Sequence, residues 1–410
     1  MITGNVATGV SPASQGGGIW IVNQSDALIV QNLVSNNTAG QGSGIYFGVP
    51  SGDRGPILVN NTIIGGSGGS QGSAVYASGF DNQVQFFNNL MIGPSGQNAV
   101  YCDGTYGGQT PTFVNNDAFS PSGTGLAGQC LGQIGFSGNI SADPQFVNAA
   151  AGDFHLQSTS SAIDAGTNSA PNLPQTDFAG NPRILDGNND CVSIVDMGAY
   201  ELAKAANASF SIGSLTFPNQ LIGSTSDRQR ATLSNTGTTC FQFSSIGITG
   251  DFAQSNNCSG GVRGGSSCVF NITFTPSAIG TRSGMLAVTG FDGVTTTTPS
   301  VSLSGTGVDF SIAATPSSAT IKHARAAQFN VSVAPLGGAV SSAVALSCSG
   351  LPSAASCSFS PSSVIPGSNG ANSAPTLSTS GNTPRGTFNV QIVGISGVTQ
   401  HSTTVQLTVN

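Results

Sequence analysis

Apolar and polar positions alternate in short bursts along the first 120 residues, and the bursts repeat. GGIW (Gly17–Trp20), SGIY (Ser43–Tyr46), SAVY (Ser73–Tyr76) and NAVY (Asn98–Tyr101) each read as a strand of small, aliphatic and aromatic residues. A second short strand with an asparagine turn follows each one: VQNLV (Val30–Val34), VNNTII (Val59–Ile64), FNNLMI (Phe87–Ile92) and FVNNDAF (Phe113–Phe119). Asn32, Asn61, Asn89 and Asn116 recur at intervals of 29, 28 and 27 residues. Runs this short, punctuated by Gly, Ser and Asn, predict strands. A fixed period of that length predicts a solenoid whose turns bury their apolar faces against one another. Stacked asparagines are then expected to hydrogen-bond from turn to turn along the solenoid axis.

The period and the asparagine turns resemble the right-handed parallel β-helix of the pectin-lyase-like class, here over residues 1–139. Residues 140–204 carry an ordered set of short motifs: ADPQFVN (Ala142–Asn148), GDFHL (Gly152–Leu156), SAIDAG (Ser161–Gly166), TDFAGNPR (Thr176–Arg183) and VDMGAYE (Val195–Glu201). This run resembles the bacterial choice-of-anchor Q module, which implies a cap closing the C-terminal end of the solenoid. Such an end exposes a strand edge and an apolar cross-section that need a cover.

From residue 205 onward the turn signals fall at the spacing of a β-sandwich. In 205–308, LTFPNQLIGS (Leu215–Ser224), ATLSNTG (Ala231–Gly237), FNITFTPSAIG (Phe270–Gly280) and LSGTG (Leu303–Gly307) resemble the choice-of-anchor D domain, an immunoglobulin-like relative of the abnormal-spindle and hydin group. In 309–410, LSCSGLPSAASCSFSPSSV (Leu346–Val364) and TPRGTFNVQIVG (Thr383–Gly394) resemble immunoglobulin- or fibronectin-like modules of secreted bacterial proteins. The expected fold class is therefore all-β: a parallel β-helix followed by two sandwiches. The N-terminus has neither the basic nor the apolar region of a signal peptide. The chain reads as one that begins partway along a solenoid.

Composition narrows the function classes. Charged residues make up 7% of the 410, and the formal net charge is −7. An ordinary globular protein carries roughly 25% charged residues. With no basic cluster, phosphate neutralisation cannot drive binding to nucleic acid. No apolar stretch is long enough to span a bilayer as a helix. The eight cysteines form no CxxC pair, which argues against zinc and thioredoxin-like sites and for an oxidising, extracellular setting. Domain boundaries favour the pairs Cys258–Cys268, Cys348–Cys357 and Cys102–Cys130. The first of these also matches the usual disulfide position of the choice-of-anchor D domain. Cys191 and Cys240 remain by elimination, and that pair would cross a domain boundary.

Four constellations are candidates for chemistry. Asp186, Asn188 and Asp190, with Asp196 further on, place oxygen ligands in the order of a calcium loop. Cys191 stands where the turn glycine belongs, however, so the competing reading is that these residues form tight Asx turns and that Asp196 and Glu201 tie the cap together. Calcium is the sole cofactor suggested. A lyase-like site needs a cationic base, and the solenoid offers Arg54, beside Asp53. Hydrolysis by paired carboxylates would draw on Asp26, Asp53, Asp81, Asp103 and Asp117, with Asp81 and Asp103 after the aromatic strands. No catalytic residue is assigned, and His155 reads as a strand residue. The fourth constellation is Trp20, Tyr46, Tyr76 and Tyr101, at equivalent positions in successive turns. Facing outward, they form a stripe that stacks on sugar rings. Facing inward, the favoured reading, they are the core of the solenoid. The leading function is non-catalytic adhesion to or recognition of extracellular polysaccharide by a secreted or surface-displayed protein, with the sandwiches as spacers or attachment modules. A polysaccharide-degrading enzyme and a ligand-free stalk are the alternatives.

Overall fold

The structure, a computed structural model, describes residues 1–9, 14–23, 25–49, 55–66, 71–80, 83–105 and 109–410. It is all-β, with a parallel solenoid in the N-terminal part and antiparallel sandwich sheets in the C-terminal part. Each solenoid turn contributes one short strand to each of three parallel sheets. The aromatic sheet stacks Ile19–Val22, Ile45–Gly48, Val75–Ser78, Val100–Asp103 and Leu126–Gly128. A second sheet stacks Leu28–Val30, Ile57–Val59, Gln85–Phe87 and Thr112–Val114. A third stacks Ile2–Thr3, Leu33–Ser35, Thr62–Ile64, Leu90–Ile92 and Asp117–Phe119.

Strand alternation decides what faces inward. Ile45, Phe47, Val75 and Val100 from the first sheet, Leu58, Phe86 and Phe113 from the second, and Val34, Ile63 and Met91 from the third share one buried core. The rings of Phe86 and Phe113 stack at 4.4 Å inside it. The turn between the second and third sheets holds the expected asparagine ladder. Asn61 Nδ2 donates to Asn89 Oδ1 at 2.9 Å, Asn89 Nδ2 to Asn116 Oδ1 at 2.9 Å, and Asn116 Nδ2 to Asn139 Oδ1 at 3.1 Å. Each ladder amide also takes a backbone N–H from the turn before it, as Asn89 Oδ1 does from Asn61 N at 3.0 Å.

The segment 140–204 does not sit where a terminal cap would. Residues 129–141 close the last turn, where Ile140 bridges to Asp117 and Asn139 extends the ladder. The chain then runs back along the side of the solenoid over the outer face of the third sheet. Leu90 packs there against Leu156, Ala162, Ile163 and Met197. Two turns earlier, Leu33 packs against Phe154, Ala199 and Tyr200. The reason lies one residue before each ladder asparagine. Gln31, Asn60, Asn88 and Asn115 adopt φ between 52° and 55°, which turns their side chains outward toward this flank. Asn115 Nδ2 donates to Ala165 O, Asn88 Nδ2 to Thr167 O, and Asn60 Nδ2 to Asp196 O and Gly198 O, while Gln31 Oε1 accepts from Arg183 Nη2. Gly198 has φ 97°, and a Cβ there would lie 2.6 Å from Leu90 Cδ1.

The first sandwich packs the sheet of Ala208–Phe210, Gln229–Asn235, Ser266–Phe274 and Phe252–Asn256 on one containing Phe241–Ile248, Gly280–Phe291 and the first half of Ser300–Thr315. Phe241, Phe270, Phe274 and Leu286 fill its core. Strand Ser300–Thr315 does not end at the boundary. Its residues 300–307 pair with Gly280–Ala287, and its residues 309–315 pair with Asn330–Leu336 of the second sandwich. One unbroken strand therefore belongs to both sandwiches. Thr399 Oγ1, donating to Ile222 O at 3.1 Å, and Asn219 Nδ2, donating to Ala339 O at 3.1 Å, tie the two together beside it.

Candidate functional site: the aromatic face of the solenoid

The aromatic strands place Trp20, Tyr46, Tyr76 and Tyr101 in direct register. Because Ile45 and Phe47 point into the core, Tyr46 between them points out, and the same parity holds in the other turns. The favoured inward reading is thus reversed. Outward does not mean open, however. Tyr46 and Tyr76 are 7% and 5% exposed. Their rings stack at 5.6 Å with an interplanar angle of 13°, and Tyr76 meets Tyr101 at 5.4 Å. Tyr101 is half-buried, and Trp20, at the head of the column, is 57% exposed. The stripe is a closed tyrosine column with an open indole at one end.

At the other end the column carries a carboxylate. Tyr76 Oη donates to Asp103 Oδ2 at 2.8 Å, Ser78 Oγ to Asp103 Oδ1 at 3.2 Å, and Thr105 N to the same oxygen at 3.1 Å. Burial, then the bond to Asp103, pushes the Tyr76 phenol well above its ordinary range. Beneath it, the Cys102–Cys130 disulfide is fully buried and joins the last two turns. Arg54, Asp53 and Asp81 lie outside the described residues; of the other carboxylates of those two candidate sites, Asp26 is exposed, Asp117 is buried in the third sheet and Asp103 closes the aromatic column.

The acidic loop of the flank is occupied by its own backbone. Asp186 accepts from the N–H groups of Asn189, Asp190 and Cys191; Asn188 Oδ1 accepts from Asp190 N, and Asp190 Oδ1 from Val192 N. These are Asx turns. Asp196 is separate and buried, with its two oxygens taken by Asp164 N and Leu202 N at 2.7 Å each. Among the described residues the one group of three metal-capable side chains is Asp186, Cys191 and Cys240, and its two sulfurs are bonded to each other. Asp186, Asp190 and Asp196 form no such group.

Sequence reasoning named Asp196 and Glu201 as ties of this segment but passed over Arg183. Arg183 Nη1 meets Glu201 Oε1 at 3.0 Å with both side chains 1% exposed. Glu201 also accepts from Asp196 N, and its own N–H donates to Asp177 Oδ2. Burial raises Asp196 to about 7 and holds Glu201 well above the usual carboxylate range, with Asp196 adding to the second shift and Arg183 opposing both. The signal available in sequence was the doubled asparagine of three turns, with Gln31-Asn32 in its place in the first. Its second member builds the ladder and its first docks the flank.

His155 is half-exposed, bonds Asp153 at 2.6 Å and lies against the Tyr200 ring. His401 bonds Asp309 at 2.8 Å where the shared strand crosses between the sandwiches, and His323 accepts from Arg385 Nε. The described histidines thus stand apart in three different places. Asp117, fully buried, accepts from Ala142 N with one oxygen, and its other oxygen has no partner; burial pushes it to about 7. All four disulfides form, Cys191–Cys240 included, and among the described residues no helix is long and apolar enough to cross a membrane.

No protein-family model matches the chain, and no curated protein matches it. Among solved structures, the chain is similar to the ASH/PapD-like domain 7 of human CEP192 (20% identity, 25% of this chain, 86% of that one, TM-score 0.22). It is also similar to domains 4 and 5 of the S-layer protein SbsC (17% identity, 39% of this chain, 76% of that one, TM-score 0.20). A third likeness is to a protein of unknown function from Porphyromonas gingivalis W83 (12% identity, 49% of this chain, 99% of that one, TM-score 0.22). None of these likenesses bears on ligand or activity.

Proposed function

We infer that the protein is an extracellular, non-catalytic recognition module for polysaccharide. The solenoid is the recognising element and the sandwiches are its spacer. The observation that carries this reading is Trp20, an indole 57% exposed on the outer face of the aromatic sheet, in register with Tyr46. An indole presents a large flat apolar face, suited to the C–H face of a pyranose ring. Four disulfides in a charge-poor chain fit an oxidising compartment. The ordered motifs of 140–204 and 205–308 support membership of the choice-of-anchor Q and D groups on a pectin-lyase-like solenoid. The test is a panel of plant and bacterial polysaccharides, with and without calcium, scored for retention and for new unsaturated or reducing ends. Retention without products is expected. Products would instead favour a polysaccharide-degrading enzyme.

A second reading has its own observation. Tyr46 and Tyr76, at 7% and 5% exposure, are closed to a ligand, as they would be in a stalk whose aromatics only stiffen it. Failure of every polysaccharide to retain the protein favours the stalk.

A further inference from the structure

Two parallel strand pairings and one disulfide lie in series along the chain, and together they point to a mechanical role. In the second sandwich, Ser318–Ile321, near its start, pairs in parallel with the C-terminal strand Thr399–Val409 through Ser318↔Gln406, Ala319↔Leu407, Thr320↔Thr408 and Ile321↔Val409. Tension between the two ends of that domain draws these neighbours in opposite directions along their common axis. The hydrogen bonds between them are then loaded together, in shear. A pair drawn apart from one end instead loses its bonds one at a time.

The first sandwich is built on the same plan. Ser214–Thr216 and Gln220–Leu221 run parallel to the shared strand, with three and two paired residues. That short ladder, however, lies inside the loop closed by Cys191–Cys240, whose sequence separation is 49. With the disulfide intact, tension leaves the flank at Cys191 and enters the sandwich at Cys240, next to strand Phe241–Ile248. This strand and the shared strand both run antiparallel to Gly280–Phe291, so they run parallel to each other. Load entering one and leaving by the other shears two long ladders, of six and eight paired residues. It then passes into the second sandwich within the same strand, with no linker to extend.

We propose that the portion from the flank to the end of the second sandwich is a tension-bearing strut in which Cys191–Cys240 carries the load past the short parallel ladder into the long ones. Reduction by a dithiol, which opens this bond to two thiols as the reductant is oxidised to its own disulfide, places the load on the short ladder and frees the loop. The role does not depend on whether the solenoid binds a ligand.

The test is single-molecule force spectroscopy on the full chain, with click-chemistry handles at Asn188 and Asn410. The oxidised protein is expected to unfold without releasing the 191–240 loop. The double variant Cys191→Ser/Cys240→Ser is expected to add ~17 nm of released length at about 3.5 Å per residue and to lower the force of the first sandwich; pre-incubation with dithiothreitol, which also opens Cys258–Cys268 and Cys348–Cys357, is expected to add at least that length. Handles at Lys322 and Asn410, at the same end of the parallel pair, are expected to open the second sandwich at a several-fold lower force than the end-to-end pull. Equal forces in those two geometries, or equal released lengths with and without the Cys191–Cys240 bond, would overturn the proposal. The dithiothreitol arm uses the folded wild-type chain and so stands even if the double variant folds poorly.

Discussion

Arg183 and Glu201 form an ion pair at 3.0 Å with both side chains 1% exposed, and Arg183 reaches on to Gln31 in the first complete turn of the solenoid at 3.0 Å. Two charges this deep cost desolvation that their attraction offsets only while both are present. Arg183→Met or Glu201→Ala is therefore expected to destabilise the solenoid–flank unit by about 3–5 kcal/mol. The double replacement by apolar residues is expected to cost far less. Urea unfolding of the single and double variants measures this directly, and additive single and double effects would contradict it.

The asparagine ladder predicts a gradient. Asn89 is fully buried, and losing its side chain orphans Asn61 N and removes the bonds to Asn61 Nδ2 and Leu58 O. A buried orphan costs about 1–3 kcal/mol, so Asn89→Ala is expected to cost at least about 1 kcal/mol. Asn32 is only half-buried at its end of the ladder, and Asn32→Ala is expected to cost less. Thermal unfolding of the two variants side by side gives the comparison.

Stability is expected to fall as pH rises. Burial lifts Asp117 and Asp196 to about 7 and Asp164 to about 6, from an unfolded value near 3.8. A carboxyl with a raised folded pKa contributes fully below its unfolded value and loses that contribution as pH climbs through the folded one. Asp251 runs the other way. Its bond to Arg282 lowers it to about 2, so its contribution is lost between about pH 4 and pH 2. The melting temperature is thus expected to be highest near pH 4–5 and to decline toward pH 8. Asp117→Asn, which cannot ionise, is expected to flatten the decline; a melting temperature that rises from pH 5 to pH 8 would contradict this account.

A chelator is expected to leave the melting temperature unchanged. The oxygens of Asp186, Asn188 and Asp190 are held by the N–H groups of their own turns, and those of Asp196 by Asp164 N and Leu202 N. A fall of several degrees in EDTA, reversed by calcium, would show that the loop rearranges around an ion.

The solenoid was legible because its cause is periodic. One asparagine per turn, hydrogen-bonding to the next turn, leaves a mark at fixed spacing, and residues 32, 61, 89 and 116 carry it. The side-lying flank was not legible, because its bonds join residues such as Asn60 and Asp196, 136 positions apart, and leave no local pattern. The facing of the tyrosines was hidden for another reason. In Ile45–Tyr46–Phe47 every residue is apolar enough to be core, so alternation has two equally good parities. Burial of both sides, one by the solenoid core and one by ring stacking, is what makes such a run ambiguous. The motifs of 140–204 were legible as a unit, but their order gave no hint that Arg183 and Glu201 would meet inside it.

Affinity electrophoresis of the wild-type chain and Trp20→Ala through gels containing the retaining polysaccharide tests the central claim most directly. The account predicts that the wild type is retarded and that Trp20→Ala, far from the buried core, stays folded and loses at least tenfold in affinity. Equal retardation of the two proteins, or no retardation of the wild type by any polysaccharide in the panel, would contradict it.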